Sequence, residues 1–221
     1  MDARLLSFRV LLEYENSNRW LKAIRNEYFI TLNPSENISK RTIVLTNEII
    51  KWKRLLDSII DGHLTKNKSK LKFPIRNFLR LATYELIFDS HIPDYAIVDS
   101  YVKLSRKIIG NYVTGFVNAI LRKISKSDNY VLKKESQFNL GVALSYPDWI
   151  IESWINQYGE NKTIKLCEYF NKTYTLMIRR NELIIDHNLL VDKIEKDKIK
   201  IERYKNSENF YYIKKGAGSL L

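Results

Sequence analysis

Apolar side chains recur at helical spacing through the first 125 residues of the chain. Residues Leu5 to Leu12 form the first apolar stripe, and Asn16-Ser17-Asn18 interrupts it. Pro74 and Pro93 each precede a further apolar run, and proline is favoured in the first turn of a helix. The pattern predicts six helices, at about residues 5–12, 19–31, 39–62, 74–88, 93–110 and 115–124.

The second half of the chain has a different pattern. Ser125 to Asn129 form a polar, turn-rich segment, which predicts a domain boundary. Beyond it, helices are predicted at about 145–159, 160–171 and 188–196, and strands at 173–179, 199–204 and 210–214. The predicted fold class is mainly α: a six-helix bundle at residues 1–125, followed by a small α/β subdomain at residues 130–221.

Positive charge is concentrated in the first half. The chain carries 37 Lys and Arg against 25 Asp and Glu, a net charge of +12. Residues 1–125 hold 21 basic and 12 acidic side chains, whereas residues 126–221 hold 16 and 13. Two basic stretches within the first half contain no acid, from Lys66 to Arg80 and from Lys103 to Lys123. Such clustering favours contact with nucleic-acid phosphates. A solvated helix face is the alternative, although such a face normally intersperses acids among its bases.

A set of basic residues, with one aromatic residue among them, is therefore predicted to contact RNA. Tyr112 joins the set because it follows one of the basic stretches and could stack on an unpaired base. The predicted RNA-binding residues are Arg4, Arg9, Lys66, Lys68, Lys70, Lys72, Arg76, Lys103, Arg106, Lys107, Tyr112, Arg122 and Lys123.

Catalytic and metal chemistry have little support in the residues. Cys167 is the one cysteine, so an internal disulfide and a zinc site with several thiolates are both excluded. Its position inside a predicted helix favours a packed, inert thiol. Gly216-Ala217-Gly218 lies too near the end of the sequence to form a phosphate cradle before a helix. No catalytic and no metal-binding residue is predicted.

Several other residues are expected to have structural roles. Glu85 is expected to pair with Arg80 or with a helix terminus inside the bundle. The four tryptophans are expected in cores, namely Trp20, Trp52, Trp149 and Trp154. No apolar run has the length of a membrane helix, and the amino terminus has no signal-peptide pattern. We therefore expect a cytoplasmic protein with no membrane partner.

Specific motifs in both halves resemble known families. Those in the first half resemble the NusB fold of RNA-binding proteins: Leu79-Arg80-Leu81-Ala82, Tyr84-Glu85-Leu86, Ile92-Pro93 and Phe116-Val117-Asn118-Ala119-Ile120-Leu121-Arg122. Those in the second half are Tyr146-Pro147 with Trp149, then Trp154, Gly159, Asn171 and Ile178-Arg179-Arg180-Asn181. This second set resembles the segment after the NusB-like domain in bacterial cytosine-5 methyltransferases of small-subunit ribosomal RNA, the Sun or Fmu family.

The resemblance implies a function for the chain. It implies the RNA-binding N-terminal part of a ribosomal RNA methyltransferase, which positions small-subunit ribosomal RNA (16S) for a catalytic domain outside this sequence. The family uses S-adenosylmethionine, but its glycine-rich loop and its two cysteines have no counterpart here, so we expect no cofactor site in these 221 residues. The alternative is a free-standing NusB-like transcription antitermination factor, which assembles with a ribosomal or transcription protein. A purely structural helical dimer is a third possibility.

Overall fold

Helices dominate the computed structural model, which describes residues 2–64, 71–127, 140–172 and 176–215. The helices within these residues are α1 (Ala3–Asn16), α2 (Leu21–Leu32), α3 (Glu36–Lys51), α4 (Lys53–Gly62), α5 (Phe73–Phe88), α6 (Asp94–Ile108), α7 (Thr114–Ser125), α8 (Leu140–Ala143), α9 (Asp148–Tyr158), α10 (Glu160–Asn171) and α11 (His187–Lys196). A short 3-10 helix (Asn111–Val113) joins α6 to α7. The strands are β1 (Met177–Arg179), β2 (Lys200–Arg203) and β3 (Phe210–Lys215). A mainly α fold with a small α/β part is thereby confirmed.

Residue contacts divide the chain into two compact units, Met1–Cys167 and Glu168–Leu221. In the first unit, Arg54 on α4 donates to the Tyr146 carbonyl oxygen and to the Asp148 carboxylate, at 2.5 and 2.6 Å. These bonds attach the segment that begins at α8 to helices α1 to α7, which we call the helical unit. The sequence boundary at 125–129, with domains at 1–125 and 130–221, stays a prediction.

The core of the helical unit surrounds α5. Phe78, Leu79, Leu81 and Ala82 have no exposed surface, and they pack with apolar residues of α1, α3, α4, α6 and α7. Phe8 of α1 lies 4.2 Å from Phe78, measured between ring centroids. Because α5 is surrounded on all sides, even its polar residues between positions 77 and 85 are buried.

Buried charges of α5 are neutralised by ion pairs from three other helices. Arg80 donates to Asp57 on α4 at 2.7 Å and to Glu15 on α1 at 2.6 Å. Glu85 accepts from Arg4 on α1 at 2.6 Å and from Arg41 on α3 at 3.1 Å. The expected pairing of Glu85 with Arg80 is wrong, because residues five apart on a helix point about 140° from each other.

The predicted third helix is two helices. The chain divides at Trp52, whose φ of −93° and ψ of 10° depart from helical values. The Trp52 ring stacks on Phe88 of α5 at 5.0 Å, and its indole nitrogen donates to Glu48 at 3.1 Å. Apolar spacing continues across the join, so the pattern alone predicted one helix. The first 125 residues therefore hold seven α-helices within the described segments, rather than six.

The tryptophan predictions are half right. Trp52 and Trp154 are partly buried and pack against cores. Trp20 is 85% exposed and Trp149 is 71% exposed. Both exposed residues lie at helix starts, Trp20 just before α2 and Trp149 as the second residue of α9, where the side chain can point away from the core.

The second unit is an antiparallel sheet with one helix packed against it. The strand order is β1-β3-β2, and β3 pairs antiparallel with both neighbours. Because β1 and β2 both run antiparallel to β3, the two outer strands are parallel to each other. Helix α11 connects them along the chain. Ile194, Ile199 and Ile213 form the centre of the small core, and Ile178 and Ile201 pack against it.

The turn between α6 and α7 depends on a glycine. Gly110 has φ of +127°, a conformation that residues with a side chain rarely adopt. The Tyr112 ring lies against Gly110, and a Cβ on residue 110 would come within 3.1 Å of that ring. A side chain at position 110 would therefore strain the turn and displace the Tyr112 ring.

Replacing Glu85 with glutamine should lower the free energy of unfolding by about 3 kcal/mol, because Arg4 and Arg41 would then face a buried neutral amide. Urea denaturation of the whole chain measures this change. Glu36→Gln is the matched control. It removes the exposed Glu36–Lys40 pair and should cost less than about 0.5 kcal/mol. If both variants lose the same free energy of unfolding, burial does not make the Glu85 ion pairs more stabilising than the exposed pair.

Replacing Gly110 with alanine should lower the free energy of unfolding by about 1 to 3 kcal/mol, because the backbone strain adds to the contact with Tyr112. The control is Gly115→Ala in α7, where a Cβ meets nothing within 4 Å. This control should be neutral or slightly stabilising, since alanine favours helix. Thermal unfolding of both variants tests the difference, and a stable Gly110→Ala protein would refute it.

Candidate nucleic-acid interface

Two of the predicted RNA contacts, Arg4 and Arg76, lie in ion pairs inside the helical unit. The Arg4 guanidinium binds Glu85 and also lies over the Tyr101 ring, 5.1 Å from its centroid. Arg76 pairs with Asp61 at 2.9 Å and Asp57 at 3.2 Å. The structure assigns both side chains a stabilising role, and their contact with RNA stays a prediction.

Electrostatics explain why Arg4 and Arg41 are held firmly in these pairs. Burial alone lowers the pKa of Arg4, but the hydrogen bond and the charge of Glu85 outweigh it, so the pKa is raised overall. The same balance holds for Arg41, where Asp89 and Glu85 outweigh burial and raise the pKa. Both guanidinium groups therefore stay charged and paired.

Exposed cations lie in the last turns of α6 and α7. Arg106 and Lys107 end α6, and Arg122 and Lys123 end α7. All four side chains are exposed. None of them forms an ion pair with any residue that the structure describes. Cations in a last turn also complement the helix dipole, which is the simplest structural reason for their presence.

Tyr112 follows the first of these pairs along the chain, five residues after Lys107. It is 79% exposed in the 3-10 helix that follows α6. The ring lies against Gly110 and is presented to solvent. An exposed ring that follows Arg106 and Lys107 in the sequence is suited to stack on a base while the cations contact phosphates.

The α7 cations form a separate group. Lys123 lies nine residues beyond Thr114, or about 14 Å along the helix axis, so it is distant from Tyr112. Burial and, secondly, the charge of Lys123 lower the pKa of His63, which follows the end of α4. The end of α7 therefore lies near the end of α4.

The remaining predicted contacts have varied positions. Lys103 is exposed but pairs with Asp99 at 2.7 Å. Arg9 is exposed on α1, in a groove that Glu13 and Glu27 also line. Lys72 is exposed immediately before α5. Lys66, Lys68 and Lys70 lie outside the described residues.

Trp20 marks a surface that the sequence pattern missed. It lies at an open groove of about 470 Å³ that Tyr14, Asn18 and Lys53 also line. The cations at this groove are paired, Lys53 with Glu15 at 2.9 Å and Arg19 with Glu13 and Glu27. Paired cations attract phosphate weakly, so the ends of α6 and α7 are the stronger candidates.

Cys167 is fully buried in α10 and packs with Leu144 and Ile151, as its helical setting predicted. Within the described segments, no group of three or more His, Cys, Asp or Glu side chains could hold a metal ion. The helices of those segments also fall short of the length and apolarity needed to cross a bilayer.

Sequence comparison finds a domain family in the second half of the chain. Residues 146–216 match the ferredoxin-like domain of RsmF/B-like methyltransferases. A probable ribosomal RNA small subunit methyltransferase B of Bacillus subtilis (strain 168) is 25% identical over 199 residues, which cover 82% of this chain and 44% of the relative. The chain therefore spans less than half the length of this curated relative.

Other relatives match a shorter part of the chain. The transcription antitermination protein NusB of Rickettsia typhi is 37% identical over 78 residues, covering 34% of this chain and 51% of the relative. A crystal structure of the antitermination factors NusB and NusE in complex with double-stranded RNA aligns with a TM-score of 0.52 and 26% identity. That alignment covers 56% of this chain and 93% of the solved one.

One solved structure resembles nearly the whole chain. The crystal structure of PH0851 aligns with a TM-score of 0.61 and 17% identity, covering 97% of this chain and 49% of that one, which shows a shared fold. The motif resemblance in both halves is thus confirmed. The NusB family model matches residues 1–126, more than half of the 221 residues, and the chain belongs to the NusB family.

Proposed function

We propose that the helical unit binds RNA through the exposed cations at the ends of α6 and α7, with Tyr112 contacting a base. The observation that carries the proposal is the contrast between two sets of cations. Arginines near the core pair with acids, whereas Arg106, Lys107, Arg122 and Lys123 remain exposed without an ionic partner among the described residues. Unpaired surface cations release counterions from phosphates at little cost in lost ion pairs.

The comparisons support RNA as the partner. A solved relative of the helical unit is a NusB protein in complex with NusE and double-stranded RNA. A relative that covers 82% of the chain is named as a small-subunit ribosomal RNA methyltransferase. We therefore assign small-subunit ribosomal RNA as the ligand, which the chain presents to the catalytic part of a cytosine-5 methyltransferase.

A second candidate function is transcription antitermination, which would require assembly with a ribosomal or transcription protein. The NusB of Rickettsia typhi supports it, since its 37% identity exceeds that of the methyltransferase relative. The match at residues 146–216 favours the methyltransferase reading, because it is to a domain of RsmF/B-like methyltransferases. Binding of a small-subunit ribosomal RNA fragment, compared with an antitermination RNA of equal length, separates the two functions.

Affinity for RNA should fall steeply as salt rises, because the contacts are mainly to phosphates. Arg106→Ala and Arg122→Ala, tested as single variants, should each reduce the slope of log affinity against log salt by about 0.7 to 0.9. Fluorescence anisotropy with a labelled small-subunit ribosomal RNA fragment, at several salt concentrations, measures the slope.

Lys40→Ala is the matched control for charge, because Lys40 is an exposed lysine that pairs with Glu36. This variant should leave the slope unchanged. A flat salt response of the unaltered protein would contradict the electrostatic interface. If Lys40→Ala lowers the slope as much as Arg106→Ala and Arg122→Ala do, net charge rather than the position of the cations controls binding.

These 221 residues should neither bind S-adenosylmethionine nor methylate RNA. The residues present do not fit the cofactor, because its usual crevice lies at the end of a parallel sheet and the described sheet pairs its strands antiparallel. Attack on a cytosine ring needs a reactive thiolate, and the buried setting of Cys167 disfavours one. Isothermal titration with the cofactor and a tritiated-methyl assay measure both activities. Micromolar binding, or incorporation that Cys167→Ser abolishes, would overturn this expectation.

A further inference from the structure

The sheet of the second unit has two chemically different faces. Ile178, Ile201 and Ile213 point toward the core that α11 completes. Side chains alternate along a strand, so the residues between them point to the opposite face. Tyr211 follows this pattern on the core side, where it is buried and its hydroxyl lies 2.8 Å from His187 Nδ1.

Strand register brings three aromatic rings together on the face opposite α11. Phe210 and Tyr212 alternate with Tyr211 on the central strand β3. Tyr204 lies beside Phe210, since its backbone N–H donates to the Phe210 carbonyl oxygen at 2.8 Å. The Tyr204 and Tyr212 rings meet edge to face with centroids 5.5 Å apart.

Basic side chains border these rings. Arg179 on β1 is directly opposite Phe210 in the register and is exposed. Lys214 lies over the Tyr212 ring at 5.4 Å. Glu202 is on the same face, and Lys214 neutralises it at 2.7 Å. The face therefore has an aromatic centre and no uncompensated negative charge among these residues.

The aromatic residues keep solvent-accessible surface although their neighbours on the other face are buried. Phe210 is 37% exposed, whereas Tyr211 is 1% exposed. Tyr204 and Tyr212 are partly exposed. Side chains of this size bury well in a core, so three of them on an open sheet face favour an aromatic or apolar ligand.

We propose that this face, formed by Tyr204, Phe210 and Tyr212, binds unpaired bases of single-stranded RNA by stacking, with Arg179 contacting an adjoining phosphate. Phe210 and Tyr212 are two residues apart on β3, about 7 Å, which gives space for two neighbouring bases. Sheets that present aromatic rings to single-stranded RNA use the same physical principle. A nucleic acid supplies both phosphates for the basic side chain and planar bases for the aromatic rings. An acidic peptide would supply negative charge but would leave the rings without planar partners.

The proposal rests on RNA being the ligand of the chain, but it concerns a surface separate from the α6 and α7 cations. The helical unit would contact the RNA backbone, and the sheet would hold an unpaired segment of the same RNA. Loss of base stacking and loss of phosphate contact can therefore be measured independently.

An oligonucleotide that lacks bases distinguishes stacking from charge. We would compare, with the whole chain, a labelled single-stranded ten-nucleotide RNA and the same backbone with four central abasic sites, which carries the same phosphates. The unaltered protein should bind the base-bearing strand more tightly, by about 5- to 150-fold for each base that stacks. In Tyr212→Leu, which keeps Phe210, this preference should fall by the contribution of one stacked base, while the salt slope stays unchanged.

Two control variants and one substitute variant complete the test. Tyr212→Phe retains a ring and should retain the preference. Tyr158→Leu removes a partly exposed tyrosine from α9 and should have no effect. Phe210→Leu replaces Tyr212→Leu if circular dichroism shows that the latter does not fold.

The outcomes separate the two proposals. Equal binding of the two oligonucleotides by the unaltered protein, or an unchanged preference in the folded leucine variant, overturns the stacking surface. If RNA affinity still falls steeply with salt in that case, the proposed RNA contact of the α6 and α7 cations is not contradicted. Absence of salt-dependent binding to any RNA would instead defeat the proposed function itself.

Discussion

The buried charges of α5 constrain how the surrounding helices are arranged. A helix surrounded on all sides cannot place a charge in solvent, and removing a charge from water is costly unless an opposite charge meets it. Arg80 is 3% exposed and Glu85 is 1% exposed, yet both are charged residues. Each obtains its partners from two other helices, so α1 and α4 must be in place to satisfy Arg80, and α1 and α3 to satisfy Glu85.

This requirement also shapes the surface. Acids of the first half are drawn into internal pairs: Glu15 and Asp57 bind Arg80, Asp61 binds Arg76, and Glu85 binds Arg4. The cations in the last turns of α6 and α7 are consequently left without ionic partners among the described residues. The positive surface of the helical unit thus arises from where the acids lie as much as from the number of lysines and arginines.

Sequence patterns predicted the helices well, because local signals determine where a helix begins. Pro74 lies in the first turn of α5, as its position indicated, and Pro93 immediately precedes α6. Pairings between distant residues were harder to predict. Arg4 and Glu85 are 81 residues apart, and no local pattern relates them. Arg4 and Arg76 consequently resembled surface cations when they were considered along the chain alone.

Aromatic residues presented the same difficulty in both units. Trp20 resembled a core residue because apolar neighbours follow it, but it precedes α2 and points into solvent. In the second unit, the run Phe210-Tyr211-Tyr212 gives no indication of which ring is buried. Strand register decides it, since Ile201 opposite Ile213 identifies the core face of β3. Register depends on the partner strand, which a single segment does not reveal.

The order of the small sheet has a consequence for how the protein behaves at high concentration. Among the described residues, its outer strands, β1 and β2, each pair with β3 along one edge only, and the other edge could pair with another molecule. Three of the four residues of β2 are charged, namely Lys200, Glu202 and Arg203, and β1 is only three residues long and ends in Arg179. Charged side chains and short length both disfavour strand addition. The aromatic residues, which have the strongest tendency to aggregate as strands, are instead on the central strand β3, where both backbone edges are already hydrogen-bonded.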